Sequence, residues 1–154
     1  MSKIDTLVQD FLAQEKIAVV GVSDNRETGC NLAYRKFKES GYAVSAVNPR
    51  LTSFEGDPCY PDLKSVPEKP DAVFILTNPK ISEEIVQQCV DLGIKRVWMH
   101  NNTLMPSSVS EAAVARCHEE GINVIEVGCP MMFLEPDFFH NCMRWIIRAT
   151  GRMK

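Results

Sequence analysis

Short apolar runs of about five residues alternate along this chain with amphipathic stretches of about ten to fourteen residues. This alternation is typical of strands and helices that follow one another in βαβ units on a parallel sheet. The first run, residues 17–22, is apolar throughout, as expected of a strand that helices cover on both faces. Further strands are predicted at residues 43–47, 72–76, 96–99 and 123–127. The pattern therefore predicts one Rossmann-like α/β domain over residues 1–154, with a doubly wound parallel five-stranded sheet.

The stretches between these strands have the apolar spacing of amphipathic helices. Helices are predicted at residues 4–14, packed on the outside of the sheet, and at residues 32–40, 79–92 and 108–120, the last opened by a capping box that starts at Ser108. A final helix is predicted from Pro136, a residue suited to the first helical position, to about residue 150. Residues 50–70 hold four prolines and little periodicity, which predicts a long excursion with at most one short helix near Leu63.

The composition argues against several classes of protein. Lys and Arg number 17 against 20 Asp and Glu, and the resulting net charge of −3 argues against a nucleic-acid surface that works by phosphate neutralisation. No apolar run approaches the ~18 residues that cross a bilayer, and residues 1–14 are amphipathic rather than a signal peptide. We therefore expect a cytoplasmic protein without membrane contact. Six cysteines at irregular spacing, without a C-x-x-C, then indicate reduced thiols rather than a disulfide framework.

The loop after the first strand has the position of a phosphate-binding loop, because it lies between a strand and a helix and opens with Gly21. It does not satisfy the dinucleotide fingerprint G-x-G-x-x-G: Ser23 and Arg26 stand where the second and third glycines belong, and Gly29 comes late. Four of its side chains are hydrogen-bond donors: Ser23, Asn25, Arg26 and Thr28. Together with the positive end of the following helix, they predict a site for the phosphates of an adenine-nucleotide cofactor. The alternative is an ordinary strand-to-helix connection.

The end of the second strand bears on which nucleotide is bound. An NAD site requires Asp or Glu about 20 residues after the glycines, to accept hydrogen bonds from the ribose hydroxyls. Here the strand ends in Asn48, Pro49 and Arg50, with a guanidinium and no carboxylate. Because Arg suits bidentate phosphate recognition, this pattern favours a ribose that carries a phosphate, as in NADP or in coenzyme A with its 3′-phosphate. In the alternative interpretation, Arg50 is a solvated cation at a turn.

Several further motifs follow one another between about residues 15 and 130. They are Gly21-Val22-Ser23-Asp24-Asn25-Arg26, Gly41-Tyr42, Val47-Asn48-Pro49-Arg50, Gly56, Cys59-Tyr60-Pro61-Asp62-Leu63, Val66-Pro67, Asp71, Gly93 and Val97-Trp98. In their order and spacing the chain resembles the CoA-binding domain family, small Rossmann-like proteins that are similar to the N-terminal CoA domain of the succinyl-CoA synthetase alpha subunit. The resemblance covers most of the chain and is more specific than any single motif.

The resemblance implies that coenzyme A lies across the carboxyl edge of the sheet. Its phosphates would meet the loop from Ser23 to Gly29, and its 3′-phosphate would meet the region of Arg50. The residues after the third strand, Thr77, Asn78 and Pro79, would line the adenine or the pantetheine side. Two segments depart from the family pattern: residues 100–103 lack the expected glycine, and residues 128–133 are longer and more apolar than in the simplest members.

The cysteines raise a second kind of chemistry. Cys129 follows the fifth strand at the expected ligand edge, and Cys30 lies near a helix N-terminus, which can lower the pKa of a thiol. Either thiol could form a mixed disulfide with coenzyme A in a redox-sensing role, or both cysteines are small packing residues. The apolar run 131–134 leaves a similar choice between a dimer patch and core packing. His100, His118 and His140 are scattered, so no metal site is predicted.

The residues and the resemblance together predict a protein that binds coenzyme A or an acyl-CoA without catalysing a reaction. No nucleophile–base pair or acid–base pair of carboxylates is evident, and the chain has no room for the further domains of a synthetase-like ligase. Two alternatives stay open: an NADP-dependent oxidoreductase, and a regulatory module that senses the nucleotide. The expected partner is a small-molecule nucleotide, and a homodimer or an unknown protein partner stays open as well.

Overall fold

The computed structural model describes residues 1–102, 104–134 and 138–152, and within these residues seven strands form one sheet. The strands are β1 Lys16–Val20, β2 Ala43–Val47, β3 Ser53–Phe54, β4 Asp57–Tyr60, β5 Ala72–Ile75, β6 Arg96–Met99 and β7 Asn123–Ile125. Their order across the sheet is β3-β4-β2-β1-β5-β6-β7. Neighbouring strands are parallel, except that β3 and β4 are antiparallel.

Helices from the described residues cover both faces of this sheet. They are α1 Lys3–Leu12, α2 Gly29–Glu39, α3 Pro79–Leu92, α4 Glu111–Glu119 and α5 Phe138–Ala149. On one face, Phe11 of α1 and Phe37 of α2 pack into an apolar core with Trp98 of β6. On the other face, α3 and α4 contribute Val86 and Cys117 to a second core. The predicted doubly wound, Rossmann-like α/β architecture is confirmed. No helix in the described part of the chain is long and apolar enough to span a membrane.

The strand order reverses beside β1. From β1 the chain passes through α2 to β2 on one side, and it later returns to β5 on the other side of β1. In an open parallel sheet, ligands bind outside the carboxyl ends of the strands where the order reverses. The loop from β1 to α2 and the loop from β5 to α3 start next to each other and lead to opposite faces. The crevice between them is therefore the expected ligand site.

The prediction of five strands was wrong, because residues 50–70 contribute two short strands at one edge of the sheet. β4 pairs with the edge of β2, and β3 folds back on β4 through a tight turn. Glu55 and Gly56 form that turn with positive φ angles of 49° and 85°, as two-residue hairpin turns require. Residues 61–68 form bends and turns without the short helix that the sequence allowed near Leu63, and the backbone N–H of Leu63 donates to Oε1 of Gln88.

The start of α4 also differs from the prediction. The capping-box pattern placed the N-cap at Ser108, but the side chain that accepts from the first turn belongs to Ser110, which bonds the N–H of Ala113 at 3.3 Å. Ser108 is instead fully buried and its hydroxyl accepts a hydrogen bond from Thr77 at 3.0 Å. The physical reason is that Ser108 has a tertiary partner, which sequence spacing does not show. Pro136 lies outside the described residues.

Near the carboxyl end, part of the apolar run after β7 packs inside the protein. Met132 is fully buried in a third apolar cluster with Met143 and Ile147 of α5. Its sulfur accepts a hydrogen bond of 3.3 Å from the backbone N–H of Cys129. Of the two interpretations of residues 131–134, core packing therefore holds for Met132.

Candidate functional site

Gly21 begins the loop from β1 to α2 and allows it to pass directly against the end of β5. The residue has a φ of +118°, and a Cβ atom there would lie 2.2 Å from the carbonyl oxygen of Leu76. Real Cβ atoms do not approach an oxygen so closely, and side chains strongly disfavour this backbone conformation. Glycine is therefore required at this position by the fold itself, whatever the loop binds.

The loop is held in shape by the side chain of Asn31, which sequence reasoning missed. Asn31 lies in the first turn of α2 and is only 3% exposed. Its Oδ1 accepts from the backbone N–H of Ser23 at 2.9 Å and from the hydroxyl of Thr28 at 3.1 Å. Its Nδ2 donates to the carbonyl oxygens of Ser23 at 2.8 Å and Arg26 at 3.3 Å. The amide of Asn31 thus uses both acceptor positions and both N–H donors in hydrogen bonds that hold the loop against the start of the helix.

The four predicted donors of this loop have different environments. The hydroxyl of Thr28 is the N-cap of α2, and it accepts from the N–H of Asn31 at 3.2 Å. The hydroxyl of Ser23 accepts from the N–H of Asn25 at 3.3 Å. The side chains of Asn25 and Arg26 are exposed. Thr28 and Ser23 therefore shape the loop, whereas Asn25 and Arg26 are free to turn toward a ligand.

Asn48 connects this loop to the one that follows β2. Its Nδ2 donates to the carbonyl oxygen of Val22 at 2.7 Å, and its Oδ1 accepts from the backbone N–H of Arg50 at 2.8 Å. Pro49 and Arg50 are exposed. The guanidinium of Arg50 makes no ion pair with any residue in the described part of the chain. Arg50 is thus positioned next to the β1–α2 loop with its charge uncompensated.

The loop after β5 lies at the same edge. Asn78 is the N-cap of α3 and accepts from the N–H of Ile81 at 3.0 Å, and Pro79 is the first residue of that helix. Thr77 is anchored through its N–H to Ser108. The sequence-predicted residues of all three loops therefore meet at the reversal of the strand order. Which of them contact a ligand stays a prediction.

A cleft of about 470 Å³ opens beside the β1–α2 loop, between α2 and the β3–β4 turn. Arg35 crosses it: its guanidinium binds Glu27 in a bidentate ion pair, with distances of 2.7 and 3.0 Å, and also binds Glu55, with Nε 2.7 Å from Oε1. The hydrogen bonds from Arg35 hold the pKa of the Glu27 carboxyl below its usual value. Two carboxylates therefore compensate the charge of Arg35. The cations of these loops that stay available to an anion are Arg26 and Arg50.

Both cysteines of the proposed redox chemistry are buried in this fold. Cys30 is fully buried and its thiol donates to the carbonyl oxygen of Val20 at 3.5 Å. Burial, together with the nearby Cys129, raises the pKa of the Cys30 thiol far above its usual value. Burial likewise raises the pKa of Cys129 to about 12. Since the thiolate is the nucleophile, both residues have the character of packing residues at neutral pH. All six cysteines are free thiols.

Comparison with known proteins agrees with this geometry. The CoA binding domain family matches residues 15–135. The acetate–CoA ligase [ADP-forming] I of Archaeoglobus fulgidus is 30% identical over 73 residues, which are 47% of this chain and 11% of the ligase. The second such ligase of that organism is 28% identical over 91 residues, 57% of this chain and 13% of the ligase. The chain thus spans little more than a tenth of the length of these curated relatives.

Two solved structures show the same fold. A hypothetical protein from Pyrococcus horikoshii OT3 superposes with a TM-score of 0.75 and 29% identity, over 84% of this chain and 87% of that one. The dinucleotide forming acetyl-coenzyme A synthetase 1 of Ca. Korarchaeum cryptofilum superposes with a TM-score of 0.61 and 25% identity, over 71% of this chain and 25% of the synthetase. The family match extends over most of the sheet and all three loops. The chain belongs to the CoA binding domain family.

Proposed function

We propose that this protein binds coenzyme A or an acyl-CoA at the carboxyl edge of its sheet, without catalysing a reaction. The observation that carries the proposal is the pair of hydrogen bonds made by Asn48, to Val22 and to the backbone N–H of Arg50, because they hold the backbone of Arg50 beside the β1–α2 loop. A ligand with two separate phosphate groups can contact Arg50 and the β1–α2 loop at the same time. Coenzyme A has such groups, in its diphosphate and its 3′-phosphate.

The diphosphate is assigned to the start of α2. The first backbone N–H groups of a helix have no partner within it, and the helix dipole places positive charge there. Phosphates bind at such positions throughout α/β proteins. Here Thr28 caps the helix from the side and Gly29 leaves its first residue without a side chain. The exposed side chains of Asn25 and Arg26 add donors to the same loop.

The 3′-phosphate is assigned to Arg50. A guanidinium forms bidentate hydrogen bonds with phosphate that are roughly twice as strong as those between neutral groups. NADP carries its extra phosphate on the 2′-oxygen of the ribose and would offer Arg50 a similar charge. Of these two ligands, coenzyme A is favoured by the family match and by the names of the relatives, which refer to CoA.

Catalysis is not part of the proposal, because the loops bring together no reactive pair. In the described part of the three loops, the hydroxyls of Ser23, Thr28 and Thr77 contact amides, backbone groups or other hydroxyls, and none contacts a histidine or a carboxylate. A nucleophile requires such a base for activation. The ligases named above are several times longer than this chain, and their reaction is not transferred to it.

Calorimetric titration with coenzyme A, dephospho-CoA, NADP and NAD tests the proposal. We expect coenzyme A to bind most tightly and dephospho-CoA about tenfold more weakly, which corresponds to ~1.4 kcal/mol for the lost charge-assisted contact. Arg50→Ala should weaken coenzyme A to a similar degree and leave dephospho-CoA nearly unchanged. Lys69→Ala is the matched control, since Lys69 is an exposed cation next to the amino end of β5, at the opposite edge. NADP binding without coenzyme A binding would overturn the proposal.

A further inference from the structure

Exposed apolar side chains are concentrated at the proposed ligand edge. Seven large apolar side chains are exposed in the described part of the chain, and four of them lie at the carboxyl edge of the sheet. Leu32 and Ile81 belong to the first turns of α2 and α3, while Leu104 and Met105 follow β6. Single exposed apolar side chains are ordinary, but a group at one edge indicates a surface for an apolar partner.

The loop after β6 brings two of these side chains to the phosphate site. Leu104 is 65% exposed and Met105 is 39% exposed. A Cβ atom at Gly29 would lie 3.6 Å from the sulfur of Met105 and 3.3 Å from Cδ1 of Leu76. Met105 and Leu76 therefore adjoin the first residue of α2, where the diphosphate is assigned. The apolar surface and the phosphate loop are continuous.

The side chain of Asn102 anchors this loop. Its Oδ1 accepts the backbone N–H groups of both Leu104 and Met105, each at 2.9 Å. Because Oδ1 accepts two donors, the other atom must be the amide nitrogen, which donates to Nε2 of His100 at 3.1 Å. His100, the partner of this amide nitrogen, follows β6 and is only 1% exposed. These hydrogen bonds fix the backbone of Leu104 and Met105 at the edge.

The direction of the ligand follows from the strand order. Arg50 follows β2, the phosphate loop follows β1, and the loop with Leu104 and Met105 follows β6, two strands beyond β1 on the far side from β2. A coenzyme A molecule with its 3′-phosphate at Arg50 and its diphosphate at α2 must extend its pantetheine arm toward β5 and β6. The thiol end, where acyl groups are attached, then lies on the β6 side of the diphosphate, which is also the side of Leu104 and Met105.

Resting on the proposed function, we infer that Leu104 and Met105 form a contact surface for an aliphatic acyl chain, so that this protein binds aliphatic acyl-CoA thioesters more tightly than free coenzyme A. Free coenzyme A ends in a thiol that gains little from such a surface. An acyl chain removes its own apolar area and that of the two side chains from water, which is the main driving force for association of apolar groups.

Calorimetric titration of the full chain with coenzyme A, acetyl-CoA, butyryl-CoA and hexanoyl-CoA tests the inference. We expect the affinity to rise along the series, by at most about fourfold for each methylene that becomes buried. The variant with both Leu104→Ser and Met105→Ser should bring the ratio of hexanoyl-CoA to coenzyme A affinity close to one. Ile146→Ser, a similar change at an exposed position of α5, should keep the ratio of the unmodified protein.

The possible results separate the two proposals. If coenzyme A binds and the affinity does not rise with chain length, the inference is overturned and the proposed function stands. If the affinity rises but the double variant keeps the full ratio, the assignment to Leu104 and Met105 is overturned. If coenzyme A does not bind to the folded protein, the proposed function fails and the inference fails with it. Circular dichroism of each variant establishes that it is folded before the titration.

Discussion

The side-chain amide of Asn48 donates a hydrogen bond of 2.7 Å to the backbone carbonyl oxygen of Val22. Val22 lies just beyond β1 and Asn48 just beyond β2, so one side chain joins the loops that follow two neighbouring strands. The other end of the same amide accepts the backbone N–H of Arg50 at 2.8 Å. The placement of Arg50 relative to the start of α2 therefore depends on Asn48.

Two substitutions of Asn48 distinguish the loss of its hydrogen bond to Val22 from the replacement of the donor in that bond by an acceptor. Asn48→Ala removes both hydrogen bonds and should lower the free energy of unfolding by ~1–2 kcal/mol. Asn48→Asp is nearly the same size but places a carboxylate oxygen against the carbonyl oxygen of Val22, so at neutral pH it should be the more destabilising of the two. Urea unfolding followed by circular dichroism measures both. An Asp variant as stable as the unmodified protein would contradict this account of the contact.

Asn31 and Asn25 lie in or beside the same loop but should respond differently to substitution. Asn31→Ala removes four hydrogen bonds to partly buried groups of the loop and should lower the free energy of unfolding by ~2–3 kcal/mol. Asn25→Ala removes an exposed side chain and should change stability by no more than about 0.5 kcal/mol. Under the proposed function, Asn25→Ala should nevertheless weaken coenzyme A binding. Unfolding and titration data on the two variants check this separation, and a large loss of stability in Asn25→Ala would refute it.

Most of the fold could be predicted because a strand buried on both faces is an uninterrupted apolar run. Three of the five strands of the central sheet, β1, β5 and β6, fit that description, and their burial is nearly complete in the structure. β3 and β4 are only two and four residues long, too short for any periodicity. Their turn is Glu55-Gly56 rather than the Asn-Gly or Asp-Gly pair that marks a hairpin in a sequence. The edge hairpin therefore had no sequence signal strong enough to predict it.

The sequence predicted which loops form the candidate site, but not the side-chain hydrogen bonds that hold those loops in place. Gly21 and Arg50 are recognisable because their spacing from a strand has a chemical meaning on its own. The structural roles of Asn31, which was missed, and of Asn48, which was predicted only as a ligand contact, are not recognisable, because the sequence does not distinguish an amide that bonds the backbone from a solvated one. Their role comes from partners that are eight and 26 residues away in the chain. Only the folded backbone brings those partners together.

Gly21→Ala should be strongly destabilising, because it combines an unfavourable φ of +118° with a Cβ only 2.2 Å from the oxygen of Leu76. Gly41→Ala is the matched control, since its φ is +93° and no atom lies within 4 Å of the added Cβ. The control should lose ~1–2 kcal/mol from backbone strain alone. Gly21→Ala should lose clearly more, since β1 and β5 must also move apart. Equal unfolding midpoints for the two variants would show that the contact with Leu76 is unimportant.

The thiols should differ sharply in reactivity. Cys142 is the exposed cysteine, and the other five are buried. Burial raises the pKa values of Cys30 and Cys129, so their reactive thiolates are scarce at neutral pH. With a thiol reagent in excess, we expect one cysteine to be modified rapidly in the native protein and all six after denaturation. Mass spectrometry after oxidant plus coenzyme A should find no adduct on Cys30 or Cys129, and an adduct on either would revive the redox interpretation.

His100 should make the protein less stable in mild acid. Burial lowers the pKa of His100 from 6.5 to about 4, and its Nδ1 has no hydrogen-bond partner. Between these two pH values the unfolded chain binds a proton at His100 that the folded protein does not, so stability falls as the pH is lowered. Above about pH 6.5 His100 is neutral in both the folded and the unfolded state, so the free energy of unfolding has its full value with respect to this residue. At 1.36 kcal/mol for each pH unit, the loss from this residue reaches ~3 kcal/mol near pH 4.

The His100→Gln variant measures this contribution because it removes the titrating group and keeps a polar side chain beside Asn102. Urea unfolding at pH 7, 6, 5 and 4.5 should show a shallower loss of stability in the variant than in the unmodified protein. Carboxylates also lose charge over this range, but they do so equally in both proteins and cancel in the difference. His118→Gln replaces an exposed histidine of α4 and is the matched control for the loss of an imidazole. Parallel curves for all three proteins would show that His100 is protonated as readily in the folded state as in the unfolded chain.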